Sequence, residues 1–183
     1  RDFCLSRGLG DVYKRQLSRV VDRCIRESNM LNLEKLCIVE SSSVWLLFID
    51  LHIIDYDGNL FDAAVLATVA ALRDTKLPTA KIEEDEIILD YENPQPLPLE
   101  DMALMCTFAK IGDQMILDPS LDEEEILTAR LSIGMRPDGT ICAMQKGGEG
   151  SLTKDDILKA IDITKRRIPQ LMEELDKTIP QTR

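Results

Sequence analysis

From Leu17 the apolar residues recur at helical spacing: Leu17, Val20, Val21, Cys24 and Ile25 fall on one side of a helix that "SNMLN" ends. At about 100° per residue, Arg19, Arg23 and Arg26 lie within roughly 60° of one another on the other side. "KLCIVE" and "SSSVWLLFIDLHIIDYDGN" then read as two strands, joined by a turn at Ser41 to Ser43. The second, Val44 to Tyr56, is apolar on both faces, which predicts a central strand covered on both sides. Asp57-Gly58-Asn59 stops it. "LFDAAVLATVAALRDTKLP" predicts a buried helix ending before Pro78, its alanines suited to close packing.

"TAKIEEDEIILDYENPQPLPLE" predicts a polar hairpin and a Pro-rich connector, Pro94 to Pro98, that marks an internal boundary. "ALMCTFAKIGDQMILD" and "ILTARLSIGMRPDGTICAMQKGG" each read as two strands around a glycine turn, at Gly112-Asp113 and at Pro137-Asp138-Gly139. Thr153 with Asp156 forms a capping box that opens a long amphipathic helix. The order is an α+β pattern, with strands from separate regions covered by helices on one side. The first sixteen residues, "RDFCLSRGLGDVYKRQ", have neither the apolar core nor the cleavage site of a signal peptide, and lack the periodicity that begins at Leu17. They read as a disordered, non-native leader (1–16), with the fold over 17–183.

Composition narrows the chemistry. The 183 residues suit one domain, and with 44% hydrophobic and 30% charged residues a core and a solvated surface are both available. A net charge of −11 excludes a protein coated in basic surface, so any polyanion must be met by a few gathered cations. The five cysteines are scattered with no C-x-x-C pair, and His52 stands alone, so no metal site and no cofactor is expected. Reduced, buried thiols in a cytoplasmic protein fit this usage. No uninterrupted apolar run reaches the roughly 18 residues of a membrane span.

Arg19, Arg23 and Arg26 admit two readings: a solvated face pairing with Asp22 and Glu27, or a row of guanidinium forks for RNA phosphates. "YDGNLFDAA" has the strand, turn and helix start of an anion site, but Asp57 and Asp62 flank it without a nearby cation. It reads as a structural turn with Asp62 near the helix dipole. "LDPSLDEEEIL" lacks the glycine and alternation of a calcium loop and reads as an acidic surface turn. "QKGGEGSLTKDD" lacks the P-loop spacing and reads as a flexible connector. His52 has no nucleophile pattern around it.

Together, "LSRVVDRCIRESNMLNLEKLCIVE", "VWLLFIDLHIIDYDGNLFDAAVLATVAAL", "DPSLDEEEILTARLSIGM", "DGTICAMQKGG" and "LTKDDI" resemble the RNase PH family in sequence and order, from Leu17 to Thr178. The resemblance is narrower still to the non-catalytic ring subunits of the archaeal exosome and their eukaryotic relatives, and the compact ending favours the archaeal kind. It implies an RNase PH-like (ribosomal protein S5 domain 2-like) fold, here truncated at the N-terminus, since the family's opening strands are absent.

It further implies that Arg19 and Arg23 help hold RNA backbone at an interface with a catalytic RNase PH-like partner, Arg26 lying outside that pair. Heterodimers would assemble as a trimer of dimers, a hexameric ring capped by S1-domain RNA-binding subunits. Catalytic members carry a Gly-Gly-Thr-Arg-like stretch where this chain has Gly58, Asn59, Leu60 and Phe61, so the donors for attacking phosphate are missing. Of the family's carboxylate pair, Asp118 is retained and the second position falls near Glu124. No catalytic residue is therefore expected. The alternatives are an exoribonuclease active by itself, through a phosphate site of another kind, and an interaction module with no RNA role.

Overall fold

The computed structural model describes residues 11–83 and 86–179. Helix α1 (Asp11–Glu27) buries Leu17, Val20, Val21, Cys24 and Ile25, the side predicted from periodicity. It begins at Asp11 rather than Leu17. The expected leader is corrected to this extent: of its described residues, 11–16 are helical, Tyr13 packs on the core, and Gln16 accepts a hydrogen bond from Arg130. Val12 and Tyr13 are the apolar residues of that added stretch, and Tyr13 stands one turn before Leu17 on the buried side. Residues 1–10 lie outside the described residues.

A short hairpin comes next, β1 (Cys37–Val39) and β2 (Ser43–Val44). Among the described residues, the long central strand expected from Val44 to Tyr56 appears only as β2 and a bridge position at Leu51. Among the described residues no strand pairs with 45–57, yet side chains alternate as on an extended ribbon. Trp45, Leu47, Ile49, Leu51 and Ile53 pack on the core, while Leu46, Phe48 and Ile54 are exposed. The segment is apolar on both faces, and among the described residues one of them is covered.

Helix α2 (Leu60–Asp74) leads into the hairpin β3 (Lys76–Glu83) and β4 (Glu86–Pro96), whose strands pair only with each other among the described residues. A four-stranded antiparallel sheet then forms in the order β6-β5-β7-β8 from β5 (Leu104–Ile111), β6 (Gln114–Leu117), β7 (Ala129–Met135) and β8 (Ile141–Gly147). A six-residue helix that the sequence pattern does not predict, α3 (Leu121–Ile126), sits between β6 and β7 with a Ser120–Glu123 capping box. Helix α4 (Lys154–Thr178) closes the chain, capped by Thr153 and Asp156 as predicted.

Helices cover both faces of this sheet, not one. All of β7 and Leu104–Ala109 of β5 are buried, and strand parity divides their side chains. Thr107 and Arg130 face α2, where they meet Asp62 and Phe61, whereas Lys110 faces α4 and reaches Asp156 at 2.7 Å. A strand buried on both sides is apolar at most positions, which blurs the alternation that would have announced two layers. The connector after β8 is likewise anchored rather than flexible, since the Gly150 N–H donates to the Thr128 carbonyl at 2.7 Å.

Candidate functional site

The start of α2 meets the loop that leads from β6 into α3. Asn59 adopts the left-handed conformation, with φ of 45°, and caps the helix by accepting from the Asp62 N–H at 3.4 Å. Its amide donates to Asp118 Oδ1 at 2.6 Å and to Asp62 Oδ2 at 2.9 Å, and its own N–H donates to Glu124 Oε1 at 3.1 Å. Gly58 is as close to its neighbours as a residue can be: with φ of +94°, a Cβ there would stand 2.4 Å from the Pro119 carbonyl oxygen. Glycine is what lets the α2 turn press against the loop leading to α3.

Asp62 is part-buried behind this turn. Its carboxylate accepts from the Thr107 N–H at 2.8 Å and from the Thr107 hydroxyl at 2.6 Å. That hydroxyl gives away its one proton, so Ser132, 2.8 Å away, is left to donate to it. Burial pushes the Asp62 carboxyl up to about 6, against the pull of the Thr107 and Asn59 hydrogen bonds and with help from the Asp118 charge. Burial also raises Glu124.

The next two residues point inward. Leu60 and Phe61 are buried, and the Arg130 guanidinium carbon sits 4.0 Å from the Phe61 ring centroid, a cation on an aromatic face. Tyr13 packs on the same ring, centroids 5.5 Å apart and planes at 60°, and Arg130 Nη2 donates to Gln16 Oε1 at 3.4 Å. Burial lowers Arg130 and raises the Tyr13 hydroxyl.

This geometry closes the turn to an anion. Two of the backbone donors at this turn are occupied, that of Asn59 by Glu124 and that of Asp62 by the Asn59 side chain, and the carboxylates around them repel an anion. The carboxylates at Asp118 and Glu124 converge, but on Asn59. Asp62, read from sequence as a dipole partner, is a part-buried acceptor tying α2 to β5.

On α1 the cationic stripe faces outward, and its members differ. Arg26 pairs with Asp22 at 3.3 Å and with Glu27 at 3.5 Å, as a solvated face would. Arg19 and Arg23 are exposed, and among the described residues neither side chain has an ion-pair partner. The reading that gave the triplet to Asp22 and Glu27 thus describes Arg26 alone.

Tyr13, Thr107, Arg130 and Ser132 are not singled out by the sequence pattern. Their signal was parity: Arg130, Ser132 and Gly134 alternate along one inward face of an otherwise apolar strand. A charged residue at a core position asks for a partner, and Phe61 supplies one.

Over residues 5–78 the chain matches domain 1 of the 3' exoribonuclease family, and over residues 101–167 it matches domain 2. The chain belongs to the 3' exoribonuclease family and has its RNase PH-like fold. The exosome complex component Rrp42 of Methanothermobacter thermautotrophicus is 67% identical over 164 residues, 90% of this chain and 60% of that protein. The chain of an archaeal exosome core superposes with a TM-score of 0.82 at 33% identity, covering 95% of this chain and 69% of that one. A chain of the Archaeoglobus fulgidus exosome with RNA bound to the active site gives 0.81 at 36% identity, with 92% and 64% covered. The chain spans about 60% of the length of the curated relatives it matches.

Proposed function

We propose that this chain is a non-catalytic ring subunit of an exosome, the complex that degrades RNA from its 3' end with phosphate as the attacking group. It pairs with a catalytic RNase PH-like subunit, and three such heterodimers close the ring in the cytoplasm under S1-domain caps. The observation that carries the reading is the filled turn at Gly58 to Phe61. Phosphorolysis needs inorganic phosphate held beside the scissile bond, and here an aromatic ring and a self-satisfied Asn59 stand in its place.

The chain's own contribution is Arg19 and Arg23, two exposed guanidinium groups on one helix face, suited to RNA phosphates. An acidic protein can act this way because the cations of two subunits gather in one groove.

The test is reconstitution. Incubated alone with RNA and phosphate, the chain releases no nucleoside diphosphates, and with its catalytic partner in 1:1 complex the ring does. Release by the chain alone would overturn the proposal. In the assembled ring, Arg19→Glu with Arg23→Glu lowers RNA affinity by roughly tenfold or more and flattens its salt dependence. Unchanged affinity would make the stripe a solvated face.

A further inference from the structure

The pairing of β7 with β8 is irregular at one point. Gly134 lies opposite Ala143 and Met135 opposite Ile141, so Cys142 is an extra residue bulged out of β8. A bulge re-aims the side chain it carries. Here it brings the Cys142 sulfur onto the face covered by α1, 3.9 Å from the Cys24 carbonyl oxygen. Cys24, on the buried side of α1, arrives at the same spot. A Cβ built at Gly134 would stand 2.9 Å from Cys24 Sγ and 3.3 Å from Cys142 Sγ, so the missing side chain is the space the two sulfurs share.

The pair is asymmetric. Cys24 is fully buried, while Cys142 is part-exposed. The Cys24 thiol hydrogen-bonds Cys142, which lowers the Cys142 thiol and raises its own, and the Arg136 charge favours the Cys142 thiolate further. An accessible thiol whose ionisation is favoured, beside a sheltered one, is the arrangement in which oxidation at the first is resolved by the second. The other described cysteines differ: Cys106 is buried and pushed up to about 12, chiefly by burial, and Cys37 is exposed.

We propose that Cys24 and Cys142 are a peroxide-responsive dithiol whose oxidation to a disulfide fastens α1 to β8. The Cys142 thiolate attacks one oxygen of hydrogen peroxide, taking OH and releasing hydroxide, and becomes a sulfenic acid. The Cys24 sulfur then attacks the Cys142 sulfur. The S–O bond breaks, an S–S bond forms, and water leaves with the Cys24 proton. Two thiols have lost two electrons to one peroxide. A dithiol reductant reverses the change. The reaction stands apart from the RNA chemistry, though it anchors the helix that presents Arg19 and Arg23.

The experiment treats the chain with stoichiometric hydrogen peroxide, blocks remaining thiols and maps peptides by mass spectrometry. The expected product is a Cys24–Cys142 linked peptide, a loss of about 2 mass units reversible by dithiothreitol. Closing so long a loop raises the urea midpoint by about 1–2 M. Cys24→Ser stops at the sulfenic acid of Cys142, trapped by dimedone, and Cys24→Ala serves should the buried hydroxyl prevent folding. A wild-type chain in which Cys142 proceeds to sulfinic acid without the link, or in which the oxidant is consumed at other cysteines, overturns the proposal.

Discussion

Replacing Asp62 by Asn should remove a pH dependence that the fold builds into its own core. The unfolded carboxyl titrates near about 4, and in the fold it titrates at about 6. The folded value of this acid is raised, so the protonated form is the one the fold favours, and folding takes up a proton between those values. Stability from this group is therefore fully present below about pH 4 and falls as pH rises to about 6, then stays level. A gap of about two units corresponds to about 3 kcal/mol at most, and because Asp62 is only part-buried, solvent screening takes a share of it. Asn fits the site. Its oxygen, in the place of Oδ2, keeps the bonds from the Thr107 and Asn59 nitrogens. Its nitrogen, in the place of Oδ1, donates to the Thr107 hydroxyl, which turns its proton to Ser132. Urea unfolding of both chains, followed by fluorescence of the single Trp45, gives two stability curves whose difference isolates the group. The variant should gain up to about 3 kcal/mol on the wild type between about pH 4 and pH 7. A flat difference curve would refute the account of Asp62 as a desolvated carboxylate.

Gly58→Ala meets both a positive φ and the Pro119 carbonyl, which is backbone and cannot swing away, so a loss of about 3 kcal/mol or more is expected in the same urea assay. Phe61→Ala opens a cavity in the core and strips Arg130 of its aromatic face, costing about 3–5 kcal/mol, while Phe61→Leu costs markedly less. Thr153→Ala removes the α4 cap and lowers stability by about 1 kcal/mol. Asp156 is held down at about 2, first by Lys110 and then by the Thr153 bonds. Its contribution is present above the ordinary aspartate range and is lost as pH falls through about 2, so Asp156→Asn should blunt acid unfolding there.

Much of this was legible because it is local. The glycine turns, the capping box at Thr153 and the inward face of α1 follow from residues a few positions apart. What was missed is non-local. The end of α1 that begins at Asp11 is held by Tyr13 against Phe61 and by Gln16 against Arg130, partners far along the chain. The ribbon at 45–57 reads as a central strand because its composition is apolar on both faces, and composition does not say which face meets a neighbour. At the α2 turn the loss of phosphate donors was visible in Leu60 and Phe61. Sequence spacing did not show that Asn59 would bind both Asp118 and Glu124.

Most of the β3–β4 hairpin lies between the segments that match the two family domains, yet the core disregards that division. Helices α1 and α2, from before the hairpin, roof a sheet made entirely after it. A protease cutting the hairpin would therefore release no independent module. The two pieces should stay clasped through Asp62 and Thr107, through Phe61 and Arg130, and come apart only in denaturant.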